Sequence, residues 1–173
     1  MSGSWKESKK HTIDLPEDDP QVFALYSHWL YFFKIPVLVE RVAKKKLPEN
    51  SAREYNDLVK AYVIGDKLLN TNFQNSVIDA IVEKSTIANA DGQRYYPGEE
   101  AVKHVYHNTT ESAAIRRLFV DMYVDTAVPN WLHGELPKEF LYLVAEGLMK
   151  KKKRVSSCNP IKASKYHVKP SSN

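Results

Sequence analysis

The sequence predicts a mostly α-helical protein, a bundle of about six helices with one short strand as an α+β remnant. Six segments repeat apolar side chains at intervals of three and four residues, as one face of a helix requires. Only residues 11–15 alternate apolar and polar side chains like a strand, and Pro16 ends that pattern. The composition, 43% apolar and 27% charged, is typical of a globular protein.

Residues 1–10 are polar and predict a disordered N-terminus. The first helix is expected to start at Asp19, as N-cap, and Pro20, as first helical residue, and to end before Pro36. Its apolar positions have helical spacing. They are Val22, Leu25, Tyr26, Trp29, Leu30 and Phe33.

Residues 37–53 are basic and contain Pro48, which predicts a loop with at most one helical turn. A second helix follows from Tyr55, and Asn70 is expected to end it in the left-handed conformation. Thr71 and the glutamine three residues later fit the capping box of a third helix.

Residues 85–96 are rich in small polar side chains and predict a linker. Pro97 is expected to open a fourth helix, Thr109 or Thr110 to cap a fifth, and Pro137 to open a sixth.

The net charge of +4 hides an uneven distribution. Residues 150–173 contain eight of the 25 Lys and Arg residues and no Asp or Glu, so the rest of the chain has 17 cations and 21 anions. The sequence therefore predicts a mildly acidic globule followed by a disordered basic tail.

Five consecutive cations begin this tail and form the strongest chemical signal in the sequence. They are Lys150, Lys151, Lys152, Lys153 and Arg154. Such a run attracts nuclear-import receptors, nucleic-acid phosphates or anionic lipid head groups, and a solvated helix end is the simpler alternative. Nucleic acid is therefore expected only through the tail, and no apolar run is long enough to span a membrane.

Catalytic motifs are missing from the sequence, so we expect no enzyme, no cofactor and no metal. His104 and His107 lie three residues apart on a predicted helix, but no third ligand is near in sequence. Asp121 and Asp125 share a helical face that is expected to be solvated, and Cys158 alone cannot form a disulfide framework.

The chain resembles the later part of a BTB/POZ domain, most closely that of fungal members, over residues 11–148. Short runs in a consistent order and spacing carry the resemblance. Among them are Thr12-Ile13-Asp14-Leu15-Pro16, Trp29-Leu30-Tyr31, Gly65-Asp66-Lys67-Leu68, Phe73-Gln74-Asn75, Arg116-Arg117-Leu118 and Pro137-Lys138-Glu139-Phe140. Two departures stand out: the chain begins almost at the strand that normally follows a hairpin and two helices, and Gly65 replaces the usual Ala.

The resemblance implies a partial BTB/POZ-like domain at 11–84, a linker at 85–96, a helical extension at 97–149 and the tail from 150. It implies a non-catalytic protein–protein interaction module in the nucleus and/or cytoplasm, linked to ubiquitin-ligase adaptors or transcription-related scaffolds. A cullin-RING ligase component and a nuclear-import receptor are the partners that these signals suggest. The alternative is a nuclear nucleic-acid-associated protein acting through its basic tail.

Five apolar residues from the first three helices are expected to form one buried cluster that supports the interaction surface. They are Trp29, Leu58, Tyr62, Phe73 and Ile78. Because the preceding family segment is missing here, we expect parts of the first two helices to stay uncovered and the usual family homodimer not to form.

Overall fold

A computed structural model describes residues 19–37, 46–126, 128–132 and 134–151. These ranges contain six α-helices and one short 3₁₀ helix, Pro129–Trp131. The α-helices are α1 Pro20–Phe32, α2 Leu47–Lys67, α3 Thr71–Thr86, α4 Glu99–Asn108, α5 Ala114–Thr126 and α6 Lys138–Lys151. The predicted mostly helical fold is confirmed. The described ranges contain no strand, and the strand predicted at 11–15 lies outside them, as do residues 1–10.

Helix α2 is the centre of the fold, since it packs against α1, α3 and α4, while α5 packs against α4 and α6. Its buried residues include Tyr55 and Val59 on one side of the helix and Ile64 on the opposite side. A single cluster of buried side chains draws members from all six helices. The halves before and after residues 85–96 therefore share one core.

The predicted start of α1 is confirmed. The Asp19 carboxylate accepts a hydrogen bond from the backbone N–H of Gln21 at 2.9 Å, and Pro20 is the first helical residue. The helix ends at Phe32, and the cap residue Phe33 adopts a left-handed conformation with φ of 51° and donates its N–H to the carbonyl of Trp29 at 2.7 Å. It thus ends before Pro36, as expected.

The loop predicted at 37–53 is wrong from residue 47 onward, where α2 begins. Leu47 and Ser51 are buried one turn apart, in register with Tyr55. Pro48 stands in the first turn, where its missing N–H costs no helical hydrogen bond, so it is compatible with a helix start. Residues 38–45 lie outside the described ranges.

The joint between α2 and α3 corrects two further predictions. Leu69, not Asn70, adopts the left-handed conformation, with φ of 53°. The N–H groups of Leu69 and Asn70 donate to the carbonyls of Asp66 and Gly65, the pattern of a Schellman motif. The Asn70 side chain then accepts from the N–H of Phe73 at 3.0 Å, so Asn70 replaces the predicted Thr71 as the cap of α3. Asn70 therefore ends α2 through its backbone N–H and caps α3 through its side chain.

Gly65 lies where α2 and α3 approach most closely. A Cβ atom at this position would come within 3.0 Å of Phe73 Cδ1 and 2.8 Å of Gln74 Cγ. The crossing therefore has little room for the alanine expected at this position.

The later helix boundaries agree with the sequence in part. Pro137 precedes α6, and its carbonyl accepts from Leu141 N–H at 3.0 Å, which confirms the predicted start. The predicted cap at Thr109 or Thr110 is wrong, because α5 begins at Ala114. The Thr109 hydroxyl instead donates back to the carbonyl of Val105 at 2.6 Å and closes α4.

Candidate interaction surface

Helix α1 has no Asp, Glu, Lys or Arg among its 13 residues. Its inner side is anchored by Val22 and Trp29, both buried. The indole N–H of Trp29 donates to the hydroxyl of Ser76 at 2.8 Å, and its ring lies 5.3 Å from that of Phe73. Packing against the core thus explains the apolar residues on the inner side of α1, but it does not explain those on the outer side.

The outer side and the C-terminal end of α1 expose a group of large apolar side chains, here called the α1 apolar face. It comprises Phe23, Leu30, Tyr31, Phe32 and Phe33. Tyr31 is 80% exposed and Leu30 is 49% exposed. Since a large aromatic side chain has about 150–250 Å² of surface, the exposed area of this face is roughly 600 Å². Phe23, Leu30 and Tyr31 lie within about 100° of one another around the helix, whereas Phe32 lies about 180° from Phe23, so the patch on the outer side is smaller than this sum. Exposed apolar patches of this kind often mark binding sites.

An acidic depression borders the α1 apolar face at Phe33. It has a volume of about 150 Å³, and its lining includes Lys34, Asp79 and Glu83. Lys34 reaches Glu83 only loosely, with 3.8 Å between Nζ and Oε2, and both side chains are well exposed. A cationic side chain of a bound segment could therefore approach both carboxylates.

Four of the five residues expected in the buried cluster, Trp29, Leu58, Tyr62 and Phe73, are at most 6% exposed. Ile78 packs against the same cluster but stays partly exposed, because it points about 100° around α3 from the buried Val77.

The four buried residues belong to the core, so they support the surface of the protein but are not part of it. The exposed apolar residues of α1 agree with the expectation that part of the first helix stays uncovered. The absence of Asp, Glu, Lys and Arg from residue 20 to 32 is a further signal of this surface that is visible in the sequence.

The first two of the five consecutive cations belong to α6, and the other three follow it in the sequence. Lys150 and Lys151 are its last two helical residues, so the helix extends into the segment assigned to the tail. Lys150 pairs with Glu146 at 2.8 Å and Lys151 with Asp125 at 2.7 Å. The next three cations, at 152–154, lie outside the described residues.

The other candidate residues do not converge on a reactive centre. Burial lowers the pKa of the half-buried His104, and the nearby cation Lys60 adds to this effect, whereas His107 is exposed. In the described ranges, no three His, Cys, Asp or Glu side chains are grouped so as to hold a metal ion. Asp121 and Asp125 are both exposed, and Cys158 lies outside those ranges.

None of the described helices is both long and apolar enough to cross a membrane. No protein-family model matches the chain, and neither does any curated protein or solved structure. The geometry and the residues themselves are therefore the basis for assigning a function.

Proposed function

We propose that this protein is a non-catalytic protein–protein interaction module, similar to a partial BTB/POZ domain, and that it binds its partner through the α1 apolar face. The observation that carries the proposal is a helix without Asp, Glu, Lys or Arg whose outer side and C-terminal end together expose roughly 600 Å² of apolar surface. A helix that is apolar on all sides is normally buried. The partner supplies the cover that the described part of this chain does not.

Covering this face would supply free energy for binding. At about 25 cal/mol per Å², burying roughly 600 Å² contributes on the order of 15 kcal/mol before costs. Association consumes about 4–15 kcal/mol of translational and rotational freedom. The difference is between zero and about 11 kcal/mol, so the affinity depends on how well the partner fits this face as well as on its area.

The chemistry of the surface indicates a segment of another protein with aliphatic or aromatic side chains and a Lys or Arg at one end. The apolar side chains would cover Leu30 and Tyr31, and the cation would approach Asp79 and Glu83. Two copies of this chain that met through this face alone would bury about 1,200 Å² in total, the lower limit for a stable interface. A different protein with a larger complementary surface is therefore the better occupant.

Photo-cross-linking in cells tests this proposal. A photoreactive amino acid is placed at Tyr31 in one variant and at Tyr142 in a matched control, since Tyr142 is 69% exposed on α6. We expect a distinct protein to cross-link at position 31 and not at 142, through an apolar peptide that contains a basic residue. Equal cross-linking at both positions, or cross-linking of position 31 to a second copy of this chain, would contradict the proposal.

The complex reconstituted with that partner gives a quantitative test. The double variant Leu30→Gln and Tyr31→Gln should weaken binding at least tenfold, and Tyr142→Gln should leave it unchanged. Asp79→Asn with Glu83→Gln should weaken binding less, by about threefold, and only at low salt. An unchanged affinity of the Leu30 and Tyr31 double variant for the partner would contradict the proposal.

The BTB/POZ resemblance supports a more specific role as a ubiquitin-ligase adaptor or transcription-related scaffold, in the nucleus and/or cytoplasm. A cullin-RING ligase component among the proteins cross-linked at Tyr31 would support the adaptor role. Its absence among them would leave the general interaction role and remove the adaptor role.

A second candidate function rests on the run of five cations at 150–154, which suits a nuclear-import receptor or nucleic acid. Lys152→Ala, Lys153→Ala and Arg154→Ala together remove most of the run and keep the ion pairs of Lys150 and Lys151. We expect a fusion to a large fluorescent tag to move to the cytoplasm.

The matched control removes three other tail cations, Lys162, Lys165 and Lys169, and should leave the distribution unchanged. If both triple variants show the same distribution between nucleus and cytoplasm, the run at 150–154 does not direct nuclear import. Binding to nucleic acid would appear as an affinity that falls steeply with salt and that weakens in the first triple variant.

A further inference from the structure

A concavity on another part of the molecule is lined by aromatic side chains. It has a volume of about 410 Å³, within the usual size range of ligand sites, and lies where the loop before α4 meets α5 and the 3₁₀ helix. Tyr95, Tyr96, Tyr123 and Trp131 contribute to its lining. The concavity shares no residue with the α1 apolar face, so a ligand bound here would be independent of the proposed function.

Three of these rings form a continuous wall. The ring of Trp131 lies 5.7 Å from that of Tyr96, at an angle of 49°, and 5.8 Å from that of Tyr123, at 64°. Tyr123 is buried, and its hydroxyl donates to the carbonyl of Pro97 at 2.9 Å. This bond ties α5 to the loop before α4 and holds the wall in place.

The neighbouring Tyr95 is fixed in a similar way. Its hydroxyl donates to the Asp91 carboxylate at 2.6 Å, and its carbonyl accepts from the hydroxyl of Tyr55 at 2.8 Å. Tyr123 is only 3% exposed, so it supports the wall from behind, and Tyr96 and Trp131 offer more of the accessible aromatic surface.

The aromatic rings around the cavity favour a cation over an anion, whereas the two charged lining residues, Glu99 and Arg94, have opposite charges. The faces of aromatic rings carry negative potential, and Glu99 adds a carboxylate to the lining. That carboxylate also pairs with Lys103, which in turn contacts Glu135 at 3.3 Å. Among the described residues, the cations that lie over aromatic rings are Lys84 and Arg116, which cover rings outside this wall.

We infer that this cavity binds an organic cation, an alkylammonium or guanidinium group, with its charge against the rings of Tyr96 and Trp131, which Tyr123 supports, and near the Glu99 carboxylate. The same chemistry is offered by a small quaternary ammonium compound and by a Lys or Arg side chain of a peptide. Arg94 is the one described cation in the lining, and it repels such a ligand.

Nuclear magnetic resonance of the Trp indole N–H groups tests the inference directly. The chain has three Trp residues, and Trp131→Phe identifies the Trp131 signal. Tetramethylammonium and N-acetylarginine amide should each shift that signal in a saturable way. The signal of Trp29, which is buried and bonded to Ser76, should not move.

Tert-butanol, a neutral molecule of similar shape to tetramethylammonium, should give no saturable shift. Equal binding of tert-butanol, or no saturable shift with either cation, would overturn the inference. Tighter binding of N-acetylarginine amide would indicate a peptide side chain as the source of the cation, and tighter binding of tetramethylammonium would indicate a small molecule.

Charge variants test the sign of the interaction. Arg94→Ala should tighten tetramethylammonium binding about twofold to fivefold, whereas an anion site would be weakened by the same change. Glu99→Gln should weaken cation binding about threefold or more. Glu100→Gln is the matched control, since Glu100 lies in the same first turn of α4 but does not line this cavity, and it should have no effect. Weaker binding in Arg94→Ala would contradict a cation site.

Ring variants test the wall itself. Tyr96→Phe keeps the ring and should keep binding, whereas Tyr96→Leu should weaken it at least fivefold. Circular dichroism melts identify any variant that loses its fold. Equal affinities of folded Phe and Leu variants would show that the aromatic wall does not bind the cation.

Discussion

Helices α1 and α6 occupy similar positions but present different outer surfaces. They have 13 and 14 residues, and each packs by its inner side, α1 on α2 and α3, and α6 on α5 and α4. On α6, exposed apolar side chains such as Tyr142 and Met149 stand among charged ones. On α1, no charged side chain separates the exposed aromatic residues.

The charged residues of α6 connect it to its neighbours. Glu139 pairs with the buried Arg116 at 3.0 Å, and Lys151 reaches Asp125 on α5. Arg116 also donates to the carbonyls of Tyr106 and Thr109, so it ties the end of α4 to α6. Helix α6 is thus suited to solvent on its outer side, whereas α1 is suited to a partner.

The largest losses of stability are expected for substitutions on the inner sides of the two helices, and the losses should be similar for α1 and α6. Trp29→Ala and Phe140→Ala each remove a buried ring and should lower the free energy of unfolding by about 3–5 kcal/mol. Tyr31→Ala and Tyr142→Ala, on the outer sides, should change it by at most about 0.5 kcal/mol. Urea denaturation measures all four. A loss below about 1 kcal/mol for Trp29→Ala would mean that α1 is not docked on the core.

Intermediate effects are expected at two glycines where a Cβ atom would meet a neighbouring helix, Gly147 of α6 and Gly65 at the α2–α3 crossing, whereas α1 has no glycine. A Cβ atom at Gly147 of α6 would lie 2.5 Å from Val124 Cγ2, a stiff branched side chain. Gly147→Ala should therefore destabilise the protein by about 1–2 kcal/mol, although alanine favours a helix by about 1 kcal/mol.

Gly65→Ala should cost less, about 1 kcal/mol, since the flexible Gln74 can move but the buried Phe73 cannot. Asn75→Ala, exposed on α3, is the control for helix propensity and should stabilise slightly. Thermal melts measure the three variants, and stabilisation by either glycine substitution would show that the crossings are looser than these distances indicate.

The smallest effects on stability are expected from two tyrosine hydroxyls, one on α1 and one on α4, whose ring lies beside α6. The Tyr26 hydroxyl of α1 accepts from the Asn70 side chain at 3.3 Å, so Tyr26→Phe should cost about 0.5–1 kcal/mol. The Tyr106 hydroxyl, near Phe140 of α6, is buried and has no hydrogen-bond partner within the described residues. Tyr106→Phe should therefore be neutral or stabilising by up to about 1 kcal/mol.

The same variant should alter the response to alkaline pH. Burial, with a smaller contribution from Glu139, raises the pKa of Tyr106 from 10.0 to about 12. Because the unfolded chain ionises first, the stability from this group is complete below pH 10 and is lost as the pH rises to about 12. Unfolding measured from pH 9 to 12 should show a shallower loss for Tyr106→Phe than for the wild type. An identical slope would contradict the assignment.

Local signals predicted the fold where neighbours in sequence decide the structure. Asp19 and Pro20 mark the start of α1, and Pro137 that of α6, because caps involve residues two to four apart. The same reasoning failed at Leu47, where a proline suggested a loop although burial against the core favours a helix. It also failed at Leu69, an exposed residue in a left-handed conformation that the sequence does not favour.

The sequence by itself determined the helical periodicities, the uncharged stretch at 20–32 and the basic run, since these depend on residue type and spacing alone. The tertiary structure alone decided which side of α1 faces outward and which side chains converge on the cavity. Tyr96, Tyr123 and Trp131 lie up to 35 residues apart in the chain and meet only through the packing of α5 against the loop before α4. Contacts of that range depend on how the helices pack together, and no local pattern encodes them.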